Sequence, residues 1–285
     1  MQPLFDTDLL LARRLRSLRS RVEGADFLMV RVADDLAERL STVERKFGRA
    51  VAAFCTTSDA ERVLANSGKV GSVTRVERDP AMLGDGERII APAETLPLEP
   101  ESIDLAVSLL SFQEINDLPG LLFQFRRALK PDGLLLAAMA GGETLKELRE
   151  CLLVTETELT GGAAPRVAPF TDVRDAGALL QRAGFALPVA DVETVTVRYP
   201  HLFALMADLR AMGATNALVD RSRRPVSRRL FIRAAEIYAE RFADADGRIR
   251  ATFSIVWLSG WAPDASQPKA LKPGSAQVSL TQILK

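Results

Sequence analysis

The feature that most constrains this chain is a series of strand-length runs that stay apolar at consecutive positions and alternate with helical patterns. "RAVAAF" (49–54), the segment near 104–111 and "LLLAAMA" (134–140) are such runs, and "KVGSVTRVE" (69–77) reads as a further strand ending at Glu77. A strand with one wet face alternates apolar and polar residues, so a run apolar throughout needs cover on both sides. Between the runs, "SDAERVLANSG" opens with Ser58 or Asp59 as its cap and has Gly68 near its end. "NDLPGLLFQFRRALKPDG" offers Asn116 or Asp117 as a cap and Pro119 in the first turn, and Lys130-Pro131-Asp132-Gly133 reads as a turn. Two-sided strands alternating with helices imply an α/β fold with a mostly parallel sheet covered on both faces.

The flanks extend this core. From Asp8 to Val22, Leu9, Leu11, Leu15, Leu18 and Val22 share roughly one side of a helix with arginines opposite. The helix is expected to dock on the body with its basic face in solvent; a membrane or partner surface is the alternative. A second helix is read over 27–47, a third over 143–159 after Gly141-Gly142, and a capped one over 171–185 ending at Gly184. "DVETVTVRYP" alternates with period two, a mostly helical stretch covers 201–244, and "ATFSIVWLSGWAP" brings Phe253, Ile255 and Trp257 to one side of a last strand. Two late strands suggest an antiparallel pair finishing the sheet. The expected organisation is an N-terminal helical segment (1–47), an α/β core (48–199), a helical insertion (200–248) and a final strand with its tail (249–285).

Composition excludes several functions. Lys+Arg and Asp+Glu balance at 37 each, so no global positive charge would hold nucleic acid or an anionic membrane. Cys55, Cys151 and His201 are the only cysteines and histidine, too few and too scattered for a dedicated transition-metal site or a disulfide framework. No apolar run approaches the ~20 residues that span a bilayer. The N-terminus has the wrong order for a secretory signal, so the expected location is the cytoplasm. Cys55 is read as a buried, inert thiol rather than a reactive one, and His201 as a cap or surface residue. The basic run "DRSRRPVSRRLFIR" (220–233) reads as a solvated helix face, with an acidic partner or carrier-protein phosphopantetheine as the alternative.

"AETLPLEPESIDLAVSLLSFQEINDLPGLLFQFRRALKPDGLLLAAMAGGETLKELRECL" resembles the class I S-adenosylmethionine-dependent methyltransferases, in the branch holding the malonyl-carrier-protein methyltransferases of biotin synthesis and the mitochondrial complex I assembly factors with a methyltransferase domain. The similarity to the assembly factors continues through "TETELTGGAAPRVAPFTDVRDAGALLQRAGF" and "GSAQVSL" (274–280), so it covers nearly the whole chain. It implies a Rossmann-like seven-stranded sheet and the cofactor S-adenosylmethionine.

In that family a glycine-rich turn after the first strand approaches the methionine moiety, an acid ending the second strand accepts from the ribose, and an Asp beyond the third strand contacts the adenine amine. Matched by position, the turn falls on Ala52 to Ser58, with Phe54, Cys55 and Thr56 at its centre and every glycine gone. Glycine reaches positive φ cheaply and leaves no side chain beside a ligand. The Phe54 ring therefore either fills part of the cofactor cavity or turns into the core between sheet and helix. Glu77 stands at the ribose position, Pro92 at the adenine one with Ala93 and Glu94 following, and Ser108 and Leu109 where the methionine part rests. At Gln113 and Glu114 the related proteins often have His-Trp, and Glu114 reads as a solvated loop residue. These residues imply a methyltransferase-family protein with an altered or weakened cofactor site and an open acceptor. The alternative is a non-catalytic or redirected descendant that binds a protein, as a respiratory complex I assembly factor does, with hydroxylation of a subunit's arginine as one variant.

Overall fold

The computed structural model describes residues 2–84 and 86–268; the 274–280 motif and the rest of the tail lie outside the described residues. One seven-stranded sheet organises the chain: β1 (Phe47–Ala53), β2 (Val70–Glu77), β3 (Glu87–Ile90), β4 (Ile103–Leu109), β5 (Leu129–Ala140), β6 (Ala186–Tyr199) and β7 (Ile249–Trp261). Their spatial order is β3-β2-β1-β4-β5-β7-β6. The first five are parallel, and β7 runs antiparallel to both β5 and β6.

The helices are α1 (Thr7–Ser20), α2 (Phe27–Thr42), α3 (Asp59–Asn66), α4 (Leu118–Ala128), α5 (Lys146–Thr160), α6 (Val173–Arg182), α7 (Leu202–Ala211) and α8 (Arg228–Phe242). Continuous apolar strands are satisfied from both sides. On one face Ala50, Ala52, Leu105, Val107, Leu134 and Leu136 pack with Leu36 and Leu40 of α2 and Leu64 of α3. On the other, Val51, Ala53, Ala106, Leu135 and Ala137 pack with Leu121, Leu122 and Phe125 of α4 and Leu180 of α6. Neighbouring residues of one strand enter opposite cores, as the two-residue period requires.

Two boundaries and one burial pattern depart from the sequence reading. The second helix stops at Thr42, because Phe47 opens β1 and is buried. Residues 130–133, read as a turn, belong to an irregular start of β5: Ile103 pairs with Leu129 and Leu105 with Leu134, so the chain bulges between them. β6 lies at the edge and keeps its alternating exposure, whereas β7 sits between β5 and β6 and is buried on both faces, with Val256 and Leu258 opposite Ile255 and Trp257.

A third core joins Leu148 and Cys151 of α5, Leu205 of α7, Tyr238 of α8 and Phe253 of β7. His201 caps α7, its Nδ1 accepting from the Ala204 amide at 3.1 Å. Arg221 pairs with Asp6 and Arg233 with Glu158, so part of the basic run is spent on ion pairs within the chain.

Candidate functional site

In a parallel sheet the turns beyond the C-terminal strand ends converge, and ligands bind where they do. Here those turns carry an unusual backbone. Phe54 (φ 57°) and Thr56 (φ 62°) follow β1, Glu94 (φ 65°) follows β3, Leu110 (φ 52°) follows β4 and Leu145 (φ 54°) follows β5, all in the left-handed region without being glycine. Such residues cost roughly 1–2 kcal/mol each, and Thr56 is β-branched, the least suited kind. Strain of this sort concentrates where a surrounding structure and a function fix the backbone. The turn after β1 thus keeps a glycine-type curve with bulkier residues.

The Phe54 ring turns inward. It is 5% exposed and shares a buried cluster with Val76, Phe112, Ala91 and Leu96, the last two flanking the loop beyond β3. Cys55 enters the opposite core, fully buried, and burial pushes its thiol up to about 12. Ser108 is also buried, its hydroxyl 2.9 Å from that of Ser111.

Glu77 is 1% exposed. Its Oε1 accepts from the Thr56 amide at 2.9 Å and from Arg75 Nη2 at 3.2 Å. Burial outweighs the nearby Arg75 and Arg14 charges and pushes its carboxyl up to about 7. Glu94, partly buried like Ala93, accepts from the Asn116 amide at 2.7 Å and the Asp117 amide at 3.2 Å, tying the loop beyond β3 to the start of α4.

Beside these turns lies a cavity of about 890 Å³, walled by Leu148, Phe253 and Ile255 and closed on one side by α1. Thr56 is the one residue of the expected cofactor set that lines it. Arg14 of α1 reaches into its edge. The Arg14 Nη2 lies 2.5 Å from Glu114 Oε2 and donates to the Leu110 carbonyl at 3.2 Å, Nε donates to the same carboxylate oxygen at 3.2 Å, and Nη1 donates to the Thr56 hydroxyl. Burial pulls the Arg14 guanidinium down, and the Glu114 carboxylate more than offsets this, so its pKa is raised.

Arg14 and Glu114 are the residues the sequence reading misplaced in solvent. The expected stripe of Leu9, Leu11, Leu15, Leu18 and Val22 is not the side that docks most deeply: Leu10 is buried, Val22 is exposed, and Arg14, one turn on from Leu10, faces inward with it. Arg13 also turns inward, donating to the Thr215 carbonyl at 2.7 Å.

A methyltransferase-domain family model matches residues 53–137. The chain is 38% identical over 267 residues to the Danio rerio protein named arginine-hydroxylase NDUFAF5, mitochondrial, covering 91% of this chain and 83% of that one. It is 36% identical to the Homo sapiens protein of the same name, over 90% and 76%. To the malonyl-[acyl-carrier protein] O-methyltransferase of Laribacter hongkongensis it is 34% identical, over 88% of each chain. The fold matches the YcgJ protein of Bacillus subtilis with a TM-score of 0.53 at 14% identity, over 81% of this chain and 98% of that one. On this near-full-length similarity, the chain belongs to the class I S-adenosylmethionine-dependent methyltransferase family.

Proposed function

We propose that this chain is a redirected member of the family that binds a protein partner, a subunit of respiratory complex I, and acts on one of its arginine side chains. The observation that carries the reading is the Arg14 guanidinium bound by Glu114, Thr56 and Leu110 at the mouth of the cavity: the place is chemically suited to arginine. Relatives named as arginine hydroxylases, matched over about nine-tenths of this chain, support it.

The cofactor grip is weakened on the same reading. One oxygen of Glu77, Oε1, is engaged by Thr56 and Arg75, the Phe54 ring packs up against the loop beyond β3, and Arg14 spans the ends of β1 and β4. With α1 docked, the residues present do not fit S-adenosylmethionine in the place the resemblance implies. Hydroxylation converts a C–H bond of the side chain to C–OH with one atom of dioxygen. The other atom leaves as water, taking two electrons from a reduced organic donor and two protons.

Mass spectrometry of complex I purified from cells with and without this chain tests the proposal. The expected result is one arginine heavier by a single oxygen atom only when the chain is present. An unchanged set of arginines, or a methyl group that depends on the chain, rejects it.

A further inference from the structure

Three acceptors from two connections converge on one guanidinium: the Thr56 hydroxyl after β1, and the Leu110 carbonyl and Glu114 carboxylate between β4 and α4. Deepening the function proposed above, on which it rests, we infer that this trio is the subsite for the partner's arginine, and that Arg14 occupies it in the resting chain as an internal stand-in.

The subsite is built rather than accidental. Thr56 is fixed by its amide bond to Glu77, and Leu110 by its amide bond to the Ala138 carbonyl at 2.7 Å. Gln113 braces the same turn, donating to the Leu110 carbonyl at 2.7 Å and accepting from the Ala140 amide at 3.2 Å. Both Thr56 and Leu110 hold left-handed backbones that cost free energy, and their side-chain and carbonyl directions follow from them. A planar guanidinium with donors on both edges meets a carboxylate, a hydroxyl and a carbonyl at once; a lysine ammonium would not span them.

The occupant is removable. Among the described residues, the apolar anchor of α1 and the residues before it is small, Phe5 and Leu10 packing with Ala217 and Leu218, and the other ties are polar: Arg13 to the Thr215 carbonyl, Ser17 to the Ala211 carbonyl, Arg78 to the Thr7 carbonyl, Asp6 with Arg221, and Asn116 with the Leu4 and Phe5 amides. An element held by few buried apolar contacts opens at lower cost than the sheet and its flanking helices. When α1 lifts, the subsite and the apolar cavity behind it open together, which suits an arginine carried on a peptide segment better than a free amino acid.

Isothermal titration of the full chain with N-acetyl-L-arginine amide tests the subsite. Arg14→Ala should bind it about tenfold or more tighter than the unaltered chain, the scale of a charged hydrogen bond. Adding Glu114→Gln should cancel the gain, and the neutral isostere N-acetyl-L-citrulline amide should show none. Arg14→Lys keeps a cation but releases the trio, so it reads the same gain if Arg14→Ala fails to fold. Free L-arginine should bind more weakly than the capped amide. Equal affinity of the unaltered chain and both Arg14 variants, an undiminished gain with Glu114→Gln, equal binding of the citrulline amide, or tighter binding of free arginine overturns the inference. If the gain occurs and no complex I arginine changes mass, the subsite stands and the function falls. If the mass change persists in cells carrying Glu114→Gln, the function stands and the subsite falls.

Discussion

Arg14 and Glu114 lie 100 residues apart in sequence and meet at 2.5 Å, their side chains only 16% and 19% exposed. A partly buried ion pair of this kind is sensitive to loss of one partner, because the survivor stays sheltered from water without its counter-charge. Glu114→Ala should lower the unfolding free energy by about 2 kcal/mol. A double-mutant cycle with Arg14→Ala, followed by urea unfolding, should return a coupling of roughly 1–2 kcal/mol. Additive losses would mean that the pair contributes nothing to holding α1.

Phe54 sets two effects against each other. Its buried ring contributes to the core, so Phe54→Ala should cost about 3 kcal/mol or more in urea unfolding. Its φ of 57° also means that glycine should be no worse there than alanine, reversing the usual order by up to about 1 kcal/mol. A glycine variant clearly less stable than the alanine variant would show that the turn is not left-handed.

Glu77 gives the stability a pH signature. Its carboxyl is pushed up from 4.5 to about 7, chiefly by burial, so between these values the folded chain holds the proton more tightly than the unfolded one. This group's contribution to stability is therefore greatest below the lower value, is lost as pH rises through the window, and levels off above it. Thermal unfolding of the unaltered chain, compared with Glu77→Gln at each pH, should show a difference that moves against the unaltered chain as pH rises. A flat or opposite trend contradicts the assignment.

Both cysteines should be silent in the native state. Burial pushes the Cys55 and Cys151 thiols up to about 12, and neither side chain reaches solvent. Iodoacetamide at neutral pH should label them only on unfolding, monitored by peptide mapping; rapid native labelling of Cys55 would indicate an open, reactive turn.

Much of the fold was legible because consecutive apolar positions have one physical solution. Residues 134–139 alternate between two cores, and no single-faced strand would tolerate them. The ends of elements were less legible: the chain near Lys130-Pro131 looks like a turn, yet the neighbouring strand draws it into an irregular ladder. At the site, the loss of glycine after β1 was visible, while its consequence was not, since a local sequence does not say whether a ring turns to a cavity or a core. Arg14 was hidden for a different reason. An arginine among arginines reads as solvated until the partner that holds it, Glu114, is brought up by the sheet.

The claim that α1, docked with Arg14 across the ends of β1 and β4, keeps S-adenosylmethionine out is tested most directly by calorimetric titration with that cofactor. The unaltered chain should show no saturation up to ~1 mM, a binding free energy no better than about −4 kcal/mol, and Arg14→Ala should bind measurably tighter. Micromolar binding by the unaltered chain, unchanged in Arg14→Ala, would contradict it.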